Sequence, residues 1–231
     1  MHPYSKSTSN CGAIPGKEAI SLASMVAAVF VLYHLIQDKP GVESDEPSFR
    51  LPNAAMVSIG VIAFCSMLGV GAMADWSTNY MENIALADKT MAPLSLSAFA
   101  FAMTIGRILG DGARAKYGDK KLMIVCGLIA TIGLSMSILF IQPMIVMVGF
   151  FLVGIGLSEI VPIAYSVAGN STSVSPGVGL AMVTAVGYSG FLFGPPIIGF
   201  LADWQTLRIA LVFVVVLFLL MTWLSGRYSS K

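Results

Sequence analysis

Residues 106–121 read GRILGDGARAKYGDKK, and the fold follows from them. Five basic side chains, Arg107, Arg114, Lys116, Lys120 and Lys121, stand between two long apolar runs. Basic residues near the end of a membrane helix resist translocation, so the segment is expected on the cytoplasmic side, as a hairpin between two spans. Glycines at 106, 110, 112 and 118, together with Asp111, add something that charge alone does not require. They predict a tight turn that brings Asp111 to a helix N-terminus, whose partial positive charge favours anions.

Outward from that segment the chain is apolar. Of its 231 residues, 56% are hydrophobic and 11% charged, and the mean hydropathy is +0.83; soluble domains carry about 25% charged residues. The chain therefore reads as an integral membrane protein. A helix rising ~1.5 Å per residue needs ~20 apolar residues to cross a hydrocarbon core of ~30 Å. Seven segments fit or nearly fit, at 19–36, 54–74, 91–109, 122–141, 144–167, 177–202 and 209–225, with Arg107 and Glu159 the charges inside them. None alternates in and out over about ten residues, which argues against a barrel. The first segment is long, has Glu18 on its approach and lacks a small-x-small site, which argues against a cleaved signal peptide. Cys11, Cys65 and Cys126 are odd in number and two lie in spans, so no disulfide framework is expected.

Basic residues orient the spans. With the N-terminus outside, Lys39, Arg50, Arg107, Arg114, Lys116, Lys120, Lys121, Arg227 and Lys231 fall inside, against Lys6, Lys17, Lys89 and Arg208 outside, nine to four. The C-terminus is then cytoplasmic. The acids at 38, 43, 45 and 46 do not oppose this, since acids contribute little to the rule. Residues 1–36 form a polar leader and a first transmembrane helix. Residues 37–53, polar and punctuated by Pro40, Pro47 and Pro52, read as a cytoplasmic linker. Residues 54–231 hold six spans, divisible into two three-helix units of opposite topology.

Three stretches carry a resemblance. GRILGD at 106–111 followed by YGDKK at 117–121 is similar to the loop signature of the major facilitator superfamily, in the copy between its eighth and ninth helices. GAMADWS at 71–77 resembles the end of the seventh helix in the rhizopine-transporter-like branch of that family. FGPPIIGFLAD at 193–203 resembles the branch's eleventh helix and the turn after it. The likeness covers residues from about 54 to the end. It implies an all-α integral membrane protein: a six-helix facilitator-type bundle preceded by one helix equivalent to the sixth, about seven spans in all. It also implies that the first five helices of a twelve-helix transporter are missing, leaving the C-terminal half plus one helix. Two positions depart from the pattern: Gly112 and Ala113 follow Asp111 where the family commonly has a basic residue, and Val70 stands where many relatives have an acid. The signature residues carried over are Gly106, Arg107, Gly110, Asp111, Gly118, Lys120 and Lys121.

Among individual residues, Glu159 is the sharpest candidate for binding a coupling proton or cation, because an ionisable group inside a span is costly and faces protein or water. Three residues later Pro162 leaves the Ser158 carbonyl without its helical donor. The alternative is a structural pair between Glu159 and Arg107, which avoids the cost of an isolated charge. Asp75, Trp76, Asn79 and Tyr80 are expected at the outer end of their span, either as an interfacial anchor or as an outer gate touching a polar solute. Tyr188 and Phe193 either line the pathway or pack. Gly187, Gly190 and Gly194 permit close helix approach, and Pro195 and Pro196 a bend, in a helix that either packs or also flexes.

The leading reading of function is a secondary transporter moving a small solute by alternating access around a midplane site, present here as a partial chain. The alternative is a non-transporting membrane remnant or a seven-helix receptor; no lysine lies in the last span for a retinal Schiff base. An enzyme is not expected, since His2 and His34 are remote from acid clusters and no nucleophile or metal constellation is present. No cofactor, metal or nucleic acid is expected. Expected partners are the lipid bilayer, a small-molecule solute, a coupling proton, and a missing N-terminal half or a second copy. The expected location is a cell membrane, the inner one in a bacterium.

Overall fold

Each long apolar run among the described residues forms a helix. The computed structural model describes residues 54–171 and 175–228, and the expected span at 19–36 and linker at 37–53 lie outside them. In chain order the helices are α1 (Ala54–Asn83), α2 (Ala92–Tyr117), α3 (Asp119–Leu139), α4 (Pro143–Ser158), α5 (Ile160–Gly169), α6 (Pro176–Trp204) and α7 (Leu207–Arg227). Helices α4 and α5 are two pieces of one span, Pro143–Gly169, so six spans are present and no strand occurs among the described residues. In lipid this outcome is forced, because a helix satisfies its own backbone hydrogen bonds.

The ends follow local chemistry. Pro93, Pro143 and Pro176 stand in the first turns of α2, α4 and α6, where a missing N–H is no loss. Thr206 caps α7, its hydroxyl accepting from the Ile209 N–H at 3.3 Å. The Arg208 guanidinium Nε donates to the Ile138 carbonyl at 2.9 Å, closing the C-terminus of α3 with a positive charge.

The hairpin at 106–121 differs from its sequence reading. Helix α2 runs on through Gly110, Asp111 and Gly112 to Tyr117, and α3 begins at Asp119. The turn is Gly118 alone, at φ 77°, a conformation that favours glycine, with its N–H donating to the Arg114 carbonyl at 2.9 Å. Ala113, Arg114, Ala115 and Lys116 are strong helix formers, so the ladder continues after the apolar run ends. Asp111 is consequently an exposed mid-helix residue. The acid at a helix N-terminus is Asp119, in the first turn of α3.

Packing repeats itself inside the bundle. Helix α1 lies against α6 and α7, while α4 lies against α2 and α3. Exchanging α1 with α4–α5, α2 with α6 and α3 with α7 turns one set of neighbours into the other, and the α3–α7 contact maps onto itself. Units of three spans each must have opposite topology. The α1 span is the most buried, whereas α2 and α6 are the least. Core packing joins Ile62, Met73 and Tyr80 of α1 to Phe150 of α4 and Phe218 of α7. Tyr80 meets Phe150 edge-on at 5.9 Å, and its hydroxyl donates to the Ser137 carbonyl at 3.0 Å. The outer stripe of α3, with Val125, Leu128 and Ile132 exposed, has the composition of a lipid-facing surface.

Candidate functional site

Four residues apart on α2, Gly106 and Gly110 leave one helix face bare, and the break between α4 and α5 packs into it. A Cβ at Gly106 would fall on the Ser158 hydroxyl, and one at Gly110 on the Glu159 carboxyl. On the facing helix, a Cβ at Gly154 would strike the Phe99 carbonyl. Small residues bring backbones this close where lipid offers no hydrophobic drive for association. The first two glycines of the sequence signature are thus packing positions. Gly112, by contrast, meets nothing within 4 Å.

Glu159 sits at the break, with φ −100° and ψ −13°, between the last residue of α4 and the first of α5. Pro162 has no N–H to offer the Ser158 carbonyl, and the next helical bond runs from the Ile163 N–H to the Glu159 carbonyl at 3.1 Å. The Ser158 hydroxyl turns back on the Ile155 carbonyl at 2.7 Å. The Glu159 side chain is 5% exposed. Among the described residues no hydrogen bond or ion pair reaches its carboxylate, so the pairing with Arg107 does not form. Arg107 is exposed on α2, and together with Arg114 and Asp111 it acts on Glu159 only through space.

Arg114 makes the contacts that Arg107 does not. Its guanidinium grips Asp119 with two bonds, Nε to Oδ1 at 2.6 Å and Nη2 to Oδ2 at 3.0 Å, and reaches the Ser166 hydroxyl at 2.7 Å. This ties the α2–α3 hairpin to α5. Both charged side chains remain about 30% exposed, so the pair stabilises by no more than ~1 kcal/mol. Burial first, and then the negative charge of Asp119, pushes the Tyr228 phenol above its ordinary range, keeping it neutral. Lys120 is half-buried and Lys121 exposed at the same end of the bundle. There Arg227 also stacks on Trp223 at 4.0 Å from the ring centre.

The opposite end separates residues that sequence had grouped. Tyr80 belongs to the core, while Asp75 and Asn79 are exposed. Trp76 lies over Gly199 of α6, where a Cβ would come within 3.1 Å of its ring, and its Nε1 is buried without a hydrogen-bond partner. Tyr188 is exposed on α6, eleven residues before Gly199 and so about 16 Å from it along the helix; the structure does not bring it to Trp76. Tyr188 instead neighbours Tyr165 of α5, whose hydroxyl is buried beside Thr184 without a well-formed hydrogen bond. Gly194 packs on Leu68, and α6 stays helical across Pro195 and Pro196. Pro195 frees the Phe191 carbonyl, and Gly71 offers it a bare Cα, since a Cβ there would sit 3.2 Å from that oxygen.

Sequence reasoning passed over Tyr165, Ser166 and Thr184, and took Asp119 only as part of the YGDKK stretch. The spacing of Gly106 and Gly110 is a small-x-x-x-small pattern that was available to place them on a packed helix.

The family model described as Major Facilitator Superfamily matches residues 56–230. The chain is 35% identical over 179 residues to an uncharacterized MFS-type transporter of Yersinia pestis, an alignment covering 78% of this chain and 47% of that protein. It is 33% identical over 191 residues to membrane protein MosC of Rhizobium meliloti, covering 83% and 47%. With the uncharacterized transporter y4wD of Sinorhizobium fredii it shares 31% over 176 residues, covering 76% and 46%. The chain spans about half the length of the curated relatives it matches.

Proposed function

The chain belongs to the Major Facilitator Superfamily, and from that premise we propose that it supplies one six-helix bundle of an alternating-access transporter for a small polar solute. The observation that carries this is the exchange of neighbours between the two three-helix units, one of them broken at Glu159. Inverted repeats with a discontinuous helix are how secondary transporters build a site at a repeat interface. The solute path runs along α1, α5 and α6, where Tyr165, Thr184 and Tyr188 offer hydroxyls beside apolar walls. Asp75, Trp76 and Asn79 stand at the mouth of that path. Glu159 binds the coupling proton, its carboxyl held at the break where the Ser158 carbonyl lacks a helical donor. Gly194, Pro195 and Pro196 give α6 the compliance to follow α5. The activity is transport and not enzymatic conversion.

A multi-pass bundle in the membrane has two orientations, and the basic excess chooses one. Gly118, the charges around it and Arg227 face the cytoplasm; with a span at 19–36 the N-terminus lies outside. The second wall of the path comes from another bundle, either an N-terminal half or a second copy.

The test is uptake by proteoliposomes of radiolabelled amino sugars, polyols and amino acids. Vesicles holding the 231-residue chain as a monomer should show no saturable uptake; vesicles in which a six-span N-terminal half from a relative is fused ahead of residue 54 should show it for one solute class. Saturable uptake by the chain alone, shown monomeric by cross-linking, would refute the two-bundle reading.

A further inference from the structure

The Glu159 carboxyl lines a cleft that the solute path does not include. Helices α2 and α3 have few contacts with each other, each packing on α4 instead. Between them lies a cavity of about 170 Å³ lined by Leu109, Gly110, Val125, Cys126, Ile155 and Glu159 among others. Its walls are apolar apart from Ser158, Cys126 and Glu159. At its mouth Leu109 is 66% and Val125 51% exposed, and Val125 belongs to the apolar outer stripe of α3. The cleft therefore opens sideways into the hydrocarbon.

From this we infer that the cleft is a lateral binding site for a single-chain alkylammonium ion, with the ammonium on the Glu159 carboxylate and the alkyl chain between α2 and α3. Three observations fix the chemistry of the occupant. Glu159 is buried and no described residue is hydrogen-bonded or ion-paired to its carboxylate. The charges that face it are Arg107, Arg114 and Asp111, and Arg114 is already held by Asp119, so with Asp119 counted the group keeps one net negative charge. The depth selects the kind of amine. Gly110, on which the carboxyl rests, is seven residues inside Tyr117, roughly 10 Å along the helix from its basic end. An ammonium attached directly to an alkyl chain reaches that level, whereas the amine of a phospholipid lies beyond its phosphate at the headgroup plane. The inference rests on Glu159 as the proton-binding carboxyl, and the amine and the proton compete for it.

The test uses the full chain in nanodiscs of phosphatidylcholine and phosphatidylglycerol, treated with the apolar carboxyl reagent dicyclohexylcarbodiimide. Peptide mass mapping reads the stable adduct. Glu159 should be modified in the unaltered chain, and Glu159→Gln should lose the adduct at that position. Dodecylammonium should slow modification about tenfold once about nine sites in ten are filled, while dodecanol, of the same length without the charge, should not. Val125→Trp, at the lipid-facing mouth, should slow the reaction without any amine. Replacing phosphatidylcholine by phosphatidylethanolamine should change nothing. The inference is overturned by absence of an adduct at Glu159, by an adduct that forms only after Arg107→Ala, by equal protection from dodecanol, or by protection from phosphatidylethanolamine. An adduct that forms faster as pH falls, yet is not slowed by dodecylammonium, would remove the amine site and leave proton binding standing.

Discussion

Gly106, Gly110 and Gly112 lie within two turns of one helix and meet three different surroundings: Ser158, Glu159 and open space. Their alanine variants should therefore diverge. Gly112→Ala adds a side chain where nothing obstructs it and removes the entropic cost of glycine in a helix, so it should stabilise the bundle by about 0.5–1 kcal/mol. Gly106→Ala and Gly110→Ala push a methyl into the backbone-close packing of α2 on α4 and should destabilise by about 1–3 kcal/mol. Denaturant unfolding in mild detergent reads the series, and equal effects at all three positions would contradict the packing assignment. The glycines were visible in the sequence, but their role was not. Glycine serves both turns and close approach, and here the deciding partner lies about fifty residues away on α4. Gly118, which needs only a local conformation, was legible as a turn residue. Glu159 was likewise legible as an unusual charge in a span, while its separation from Arg107 depends on where α2 places that side chain.

At the scale of elements, the interrupted span α4–α5 concentrates the chemistry. Proline at 162 falls in the first turn of α5, where a missing N–H is tolerated; the break at Glu159 is what makes that position a first turn. Pro162→Ala restores a donor to the Ser158 carbonyl. It should let the helical ladder run through Glu159, raising stability by about 1 kcal/mol, the net worth of one hydrogen bond. Native-state hydrogen exchange should find the new amide at 162 protected, and an unprotected amide there would show that the break has another cause. Sequence gave this element well, because a proline acts on its own helix. It gave the lengths of α1 and α2 less well. Both outrun their apolar stretches, α1 to Asn83 and α2 to Tyr117, since polar helix formers continue a ladder past the apolar run, where hydropathy no longer marks it. The α2–α3–α5 tie through Arg114, Asp119 and Ser166 is a tertiary contact, and no spacing in the sequence announces it.

At the scale of the whole molecule, the six spans of the described residues were legible from the length of their apolar runs and the family from three motifs, because in lipid the hydrophobic pattern leaves few alternatives to a helical bundle. Which face of the bundle meets lipid was not, since apolar side chains suit both lipid and a packed neighbour. Orientation is open to direct measurement. A cysteine replacing Ala115, exposed near the basic end of α2, should react with a membrane-impermeant maleimide only after cells are broken, and labelling of intact cells would reverse the topology. The central claim is that the α5–α6 face is covered by a second bundle, while the outer stripe of α3 is covered by lipid. Tyr188 on α6 and Ile132 on α3 are exposed to nearly the same degree, 57% and 60%, so exposure alone does not distinguish them. The most direct test places the photoreactive residue benzoylphenylalanine at each position in native membranes and analyses the products by mass. At Tyr188 the predicted product is a covalent link to a helix of a second bundle, either an N-terminal half or another copy of the chain, and at Ile132 lipid adducts. Lipid adducts alone at both positions would contradict it.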